Sequence, residues 1–275
     1  MPEIGDAAIL DTAVRAARAG GKVALDRLGD PGWVRWKGMR DAQVGAALDV
    51  QAAILEEIRR DFPDHPILAE ESESRPPDDA DPLWIVDPID GSLNYLQGLP
   101  FFSICIGFRS EGIYRVGVVY DPCRNELFEG VLGRGARLNG LPIVVQQVSE
   151  GLKAYENAIV GTDWPYDGER RTQSLQIAQV LTTHMLDMRV MGSPALGLCY
   201  VAAGRLHAYF HLDLRLWDIA AASVVLTEGG GILTNARGSS WLFADRAYLV
   251  TNGVVHGEML RNIGPILDFR APSIG

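Results

Sequence analysis

The chain has 275 residues, of which 47% are hydrophobic and 22% charged; that is the composition of a globular protein with a sizeable core, and it excludes a disulfide scaffold, a coiled coil or a collagen-like rod. With 25 Lys and Arg against 35 Asp and Glu the net charge is −10, which argues against a nucleic-acid polymer or a membrane surface as partner, because both need clustered cations. Cys105, Cys123 and Cys199 show no CxxC spacing, no basic leader opens the chain and no apolar stretch approaches ~18 residues, so no disulfide framework, zinc knuckle, signal peptide or membrane span is expected and the expected address is the cytoplasm.

Ala8, Ile9, Ala13, Ala16 and Val23 recur at helical spacing and predict a helix over 6–28, interrupted near Gly20-Gly21. Gly29, Pro31 and Gly32 break the chain. A second helix is expected from roughly 48 to 60, with Val50, Ile54, Leu55 and Ile58 on one face, and residues 62–66 stop it. PILAE and LWIVD then read as short strands on either side of a polar loop at 71–81. The second is apolar up to its last residue, as in a strand buried on both faces. FFSICIGF, IYRVGVVYD and ELFEGVL continue as strands with turns at Glu111-Gly112 and 122–125, and Asn139-Gly140 marks another turn. Cys105, inside the first of these strands, reads as a buried thiol.

After about residue 152 the pattern alternates. Strands are expected at NAIVG, MRVMG, LHAYFHL, GILTN and AYLVTN, and helices at 168–184, 194–204, 217–228 and 255–262. Such alternation predicts an α/β layered half. Two tightly joined units follow: 1–150, a helix pair with a mostly antiparallel sheet, and 151–275, an α/β half.

Carboxylates gather at three strand or helix ends: Glu70-Glu71, Asp87 with Asp90, and Asp218. Any one of them alone is explained as a helix cap or a solvated strand end. Asp87 and Asp90 together are harder to explain that way. Pro88 fixes φ and removes a donor, and Gly91 permits an unusual backbone angle, so the turn can aim both carboxylates at one point. Like charges that close need a compensating cation, and an all-oxygen ligand set suits Mg²⁺ or Mn²⁺ rather than zinc. The N–H groups after Gly91 would make an anion cradle beside the metals, a combination suited to phosphate-ester chemistry. Neither a Rossmann fingerprint nor a Walker A sequence is present. Gly229-Gly230-Gly231 reads as a helix stop.

WIVDPIDGSLNY resembles the metal-binding signature of the inositol monophosphatase family. WDIAAASVVLTEGGG resembles that family's second signature, and AEES its first acidic site; order and spacing fit over about residues 6–265. The resemblance implies an αβαβα sandwich of the inositol monophosphatase and fructose-1,6-bisphosphatase type, commonly a homodimer, Mg²⁺-dependent and often lithium-sensitive. It implies that Glu70, Asp87 and the carbonyl of Ile89 hold a first Mg²⁺, and that Asp87, Asp90 and Asp218 hold a second. Glu70 and Ser92, which stands where the family usually has Thr, would orient the attacking water. The N–H groups of Gly91, Ser92 and Leu93 would bind the phosphate, beside Asp90. For a third, weaker metal site Asp49 is the nearest acidic candidate, although counting without gaps places Ala47 there; Lys37 matches a lysine kept near that site.

Gly192-Ser193-Pro194-Ala195 resembles the family turn that approaches the polyol. His211 falls where inositol-preferring members carry Glu, and a two-residue shift would bring Asp213 there instead. A neutral His211 offers one donor and one acceptor, whereas a protonated one would favour a second anionic group. The expected activity is hydrolysis of a small polyol or sugar phosphate such as inositol 1-phosphate. Fructose 1,6-bisphosphate, histidinol phosphate and 3′-phosphoadenosine compounds are alternatives, the last two disfavoured by Asn94-Tyr95. A non-catalytic binding or regulatory descendant would be signalled by a missing metal ligand, and all four carboxylates are present.

Overall fold

The structure is a computed structural model and describes residues 5–146, 153–242 and 244–268. Helices α1 (Asp6–Asp26) and α2 (Gly45–Asp61) are joined through a small hairpin of β1 (Val34–Trp36) and β2 (Ala42–Val44). They cover one face of a seven-stranded sheet. In it β3 (Ile67–Ala69), β4 (Leu83–Asp90), β5 (Ser103–Ser110), β6 (Ile113–Asp121), β7 (Glu126–Val131), β8 (Ala136–Leu138) and β9 (Leu141–Ile143) lie side by side in chain order. The β3–β4 pair is parallel and the later pairs are antiparallel. The short helix α3 (Ser92–Leu96) follows β4, and α4 (Lys153–Glu156) leads to the second sheet.

That sheet has the order β11 (Asp187–Val190), β10 (Ile159–Thr162), β12 (Ala208–His211), β14 (Tyr248–Thr251), β13 (Ile232–Asn235). Its outer face packs on α5 (Gly168–Leu181) and α8 (His256–Asp268) through Val160, Phe210 and Leu249. Helices α6 (Pro194–Ala202) and α7 (Leu216–Glu228) fill the space between the sheets. The layers are therefore α, β, α, β, α. The central strands β4 and β5 are buried on both sides, as their apolar sequences require. Trp84, Val86, Ile104, Ile106 and Val118 face α1 and α2, and the alternate residues Ile85, Cys105 and Val119 face the middle helices. All three cysteines are free. Among the described residues no helix is long and apolar enough to cross a membrane.

Three local readings change. Helix α1 runs unbroken through Gly20-Gly21, because those glycines serve packing: a Cβ would lie 2.7 Å from Ile54 of α2 at Gly20, and 2.5 Å from the Tyr120 ring at Gly21. Helix α2 starts at Gly45 rather than 48. The break after Gly32 contains the β1–β2 hairpin, whose three-residue strands are too short to show a pattern.

The seat of α7 is made by glycines. Register pairs Gly107 with Gly117 and Gly117 with Gly130, so three glycines form a row across β5, β6 and β7. Helix α7 lies directly on that row with Ala220, Ala221, Val224 and Val225. A Cβ at Gly117 would stand 2.0 Å from the Ala221 carbonyl oxygen, and one at Gly130 2.8 Å from the Val225 Cα. These neighbours are backbone, which cannot step aside as a side chain can. Gly117→Ala is expected to cost about 1–3 kcal/mol, as overpacking does. Thermal unfolding checks this against Gly168→Ala, where a new Cβ meets nothing within 4 Å. Equal melting temperatures for the two variants would contradict the close seating.

Candidate active site

β4 is buried at every position and delivers its acidic end to the middle layer. Its pairing with β5 is regular up to Asp87 opposite Cys105 and resumes at Asp90 opposite Ser103. Three steps on β4 thus match two on β5, a bulge at Pro88-Ile89. Strict alternation would send residues three apart to opposite faces; one extra residue turns both carboxylates to the same side. The Ile89 N–H donates to Asp87 Oδ1 at 2.9 Å and holds the bulge. Asp218 sits in the first turn of α7, where its Oδ2 accepts from the Arg215 N–H at 2.7 Å. The seated helix brings it to β4. One oxygen of each of Asp87, Asp90 and Asp218 lies within 4.8 Å of the others. Glu70 follows β3, its N–H bonded to the Val86 carbonyl at 3.1 Å, and its carboxyl lies beside Asp87.

This arrangement is electrostatically costly without a cation. Asp87 and Asp90 are 2% and 4% exposed. Burial pushes Asp87 well up, and Glu70, Asp90 and Asp218 add to it. Burial and Asp90 push Asp218 well up in the same way. Asp90 rises to about 7 through burial, although Ser193, the Ala195 N–H at 3.0 Å and Ser103 at 3.2 Å all donate to its carboxylate. Glu70 is raised by burial and by Glu71, against the pull of Lys37. Clustered, all-oxygen, mutually repelling ligands fit a hard divalent cation.

The turn at 91–93 and the turn at 192–194 are clamped together. Gly91 has φ +103°, and a Cβ there would meet the Gly192 carbonyl at 2.8 Å. The Asn94 amide donates to the carbonyls of Phe101 at 2.8 Å and Met191 at 2.7 Å. Ser92 and Leu93 are half-buried in the first turn of α3, and Pro194 opens α6. The fully buried Ser193 spends its hydroxyl on Asp90.

Other expected positions fall elsewhere. Asp49 is not brought to the cluster. It is an exposed residue of α2 paired with Arg27, and Ala47, two residues or about 200° around the helix, is the buried one. Beside Glu70 stands instead the Lys37 ammonium, 3.3 Å from Glu70 and 3.0 Å from Glu71, which also accepts from Gln43. Burial pulls the Lys37 pKa down, but Glu70 and Glu71 outweigh it and the net shift is upward. His211 is 5% exposed, and its Nδ1 accepts from the Asp213 N–H at 3.0 Å. Burial, Arg246 and Arg170 lower its pKa to about 3, so the protonated form that would attract a second anion is absent at neutral pH. Asp213 pairs with Arg246 at 2.6 Å.

Tyr166 and Ser103 were not legible as site residues. The Tyr166 phenol lies near Ser92, and its carbonyl accepts from Arg40 of the hairpin at 3.1 Å. Ser103 reaches Asp90 only through the shifted register.

The profile of the inositol monophosphatase family matches residues 6–267. The chain belongs to the inositol monophosphatase family. Among its relatives is the protein named Nus factor SuhB of Pasteurella multocida, 37% identical over 94% of this chain and 97% of that protein. Two solved structures share the fold. Inositol monophosphatase from Anabaena (Nostoc) superposes with a TM-score of 0.81 at 35% identity, covering 94% of this chain and 96% of that one. The extragenic suppressor protein suhB of Bartonella henselae gives a TM-score of 0.87 at 29% identity, covering 93% and 98%. The family is metal-dependent, in keeping with the acidic cluster.

Raised carboxylate pKa values mean that the folded, metal-free protein holds more protons near neutrality than the unfolded chain, so its stability falls as pH rises. The loss from Asp90 begins above the ordinary carboxylate range and is complete above about 7; Asp87 and Asp218 extend it upward. Buried neutral His211 acts oppositely, but only below about 6.5. The chelated protein is therefore expected to melt at a lower temperature at pH 8.5 than at pH 6.5. Added Mg²⁺ should raise the melting temperature more at the higher pH, and Asp90→Asn should shrink both effects. Differential scanning calorimetry at the two pH values checks this; a metal response independent of pH would count against it.

Proposed function

We propose that the protein is a Mg²⁺-dependent phosphomonoesterase acting on a small polyol or sugar phosphate, of the inositol 1-phosphate kind. The observation that carries the reading is the convergence of Asp87, Asp90 and Asp218 beside the turn at 91–93, with Glu70 against Asp87. In this reading Glu70, Asp87 and the Ile89 carbonyl hold one cation, and Asp87, Asp90 and Asp218 a second. Bound divalent ions supply an activated water and neutralise the leaving oxygen. Glu70 and the Ser92 hydroxyl orient the attacking water. The backbone N–H groups of Gly91, Ser92 and Leu93 hold the phosphate. Asp90, tied to Ser103, Ser193 and Ala195, is held in one rotamer and needs no reorganisation. The turn at 192–194 and neutral His211 form the wall facing the alcohol part of the substrate.

A second reading comes from the name Nus factor SuhB carried by relatives that match over nearly their whole length. A role as a protein factor does not require the carboxylates, and substitution of the cluster separates the two. Full-length protein assayed on a panel of phosphomonoesters is expected to lose activity in EDTA and recover it with Mg²⁺ or Mn²⁺. Asp90→Asn and Asp218→Asn should each lower kcat by at least ~100-fold. Hydrolysis undiminished by EDTA, or absent on every ester, overturns the phosphatase reading.

Ser92 allows a finer test. Ser92→Ala should lower kcat with little change in KM, and Ser92→Thr should be tolerated. An unchanged kcat in Ser92→Ala would confine the contribution of this residue to its backbone N–H. Because His211 is neutral throughout the working range, the ratio of kcat/KM for fructose 1,6-bisphosphate over inositol 1-phosphate should show no step near pH 6.5 that His211→Gln removes.

A further inference from the structure

We propose that Asp163 is a positioning residue for the substrate wall: its buried carboxylate sets the Gly192-Ser193 turn against the phosphate turn, and so decides how the alcohol part of the substrate is held. The proposal rests on the phosphatase reading above and adds a residue outside the site as read from the sequence.

Asp163 follows β10 directly and is 5% exposed. Its Oδ1 accepts from two consecutive backbone N–H groups, Met191 at 2.8 Å and Gly192 at 2.5 Å. Its Oδ2 accepts from the Tyr209 hydroxyl of β12 at 2.9 Å. None of these donors is a cation. A buried carboxylate held only by neutral donors is an expensive arrangement, and here it gives a turn between β11 and α6 a fixed attachment to the second sheet. The root of that attachment is itself pinned, since Thr162 Oγ1 donates to the Phe210 carbonyl at 2.9 Å.

The same turn is gripped from the other side. Asn94 of α3 donates to the Met191 carbonyl, the Gly192 carbonyl abuts Gly91, and Ser193 donates to Asp90. The turn is therefore suspended between Asp163 on the second sheet and the catalytic turn on the first. Gly192 adopts φ +85°, so no side chain of its own stabilises it there. With the Asp163 carboxylate gone, the Met191 and Gly192 N–H groups lose their acceptor and only the grip from the phosphate side remains.

Replacement chemistry separates geometry from charge. In Asp163→Asn the Oδ1 acceptor persists for both N–H groups, and the new amide can donate to the Tyr209 oxygen, which accepts as well as donates. In Asp163→Ala all three buried donors are orphaned.

The test compares wild type, Asp163→Ala and Asp163→Asn as full-length proteins in Mg²⁺. It uses kcat and KM on inositol 1-phosphate and on p-nitrophenyl phosphate, whose flat alcohol part offers the wall no hydroxyls. A calorimetric Kd for inositol 1-phosphate, taken in Ca²⁺, adds a readout that does not rely on turnover. Asp163→Ala is expected to raise KM and Kd for inositol 1-phosphate about tenfold while kcat falls less than about threefold, with a KM change below about threefold on the aryl ester. Asp163→Asn should return the polyol values to within about twofold of wild type. Asp163→Ala protein that melts earlier but keeps the wild-type KM and Kd would show a purely structural role and overturn the proposal. So would equal KM changes on both esters, or an Asn variant as defective as Ala. A wild type that neither hydrolyses nor binds either ester overturns the phosphatase reading and this inference with it; a working wild type whose Ala variant keeps its KM overturns the inference alone.

Discussion

The close seating of α7 on the glycine row of the large sheet is the contact on which the rest of the site depends. Gly107, Gly117 and Gly130 remove the side chains that would normally hold a helix away from a sheet, and Ala220 and Ala221 do the same from the helix side. The resulting backbone-to-backbone approach places the first turn of α7 at the end of β4. Asp218 then meets Asp87 and Asp90, although about 130 residues separate them in the chain. A bulkier interface would move Asp218 away from Asp87 and Asp90.

Such a site is assembled against its own repulsion. Buried carboxylates facing one another are a stability liability in the metal-free chain, and here two of them are nearly inaccessible. The surrounding structure offsets that liability with directional contacts: the bulge holds Asp87 through the Ile89 N–H, and three donors hold Asp90. Strain of this kind belongs to function rather than to folding, since an apolar or amide cluster would pack with less cost. It is consistent with membership of a metal-dependent family.

Around the cluster, the hairpin and the wall take opposite characters. The β1–β2 hairpin leans on the site through polar contacts, Lys37 between Glu70 and Glu71, Gln43 to Glu71 and Arg40 to the Tyr166 carbonyl, while Trp36 and Met39 remain exposed. The turn at 191–194 is instead tied from both sides by hydrogen bonds. The turn at 191–194 is thus the more extensively hydrogen-bonded of the two.

Much was determined by the sequence alone. The alternation after residue 152, the apolar strands and the motifs around Asp87, Asp90 and Asp218 pointed to the layered fold and the acidic centre, because strand burial and turn chemistry are local properties written in consecutive residues. Glycine was the recurrent ambiguity. Gly20-Gly21 read as a helix break, since propensity cannot reveal that Ile54 and Tyr120 occupy the space a Cβ would take. Helical phase separated Asp49 from Ala47, and only the packed helix showed which one turns inward. His211 could be charged or neutral on paper; burial beside Arg246 and Arg170 made it neutral. Asp163, Tyr166 and Ser103 carried no motif at all. Their contacts arise from register and from loops meeting across layers, and such long-range contacts leave no periodic trace in the chain that makes them.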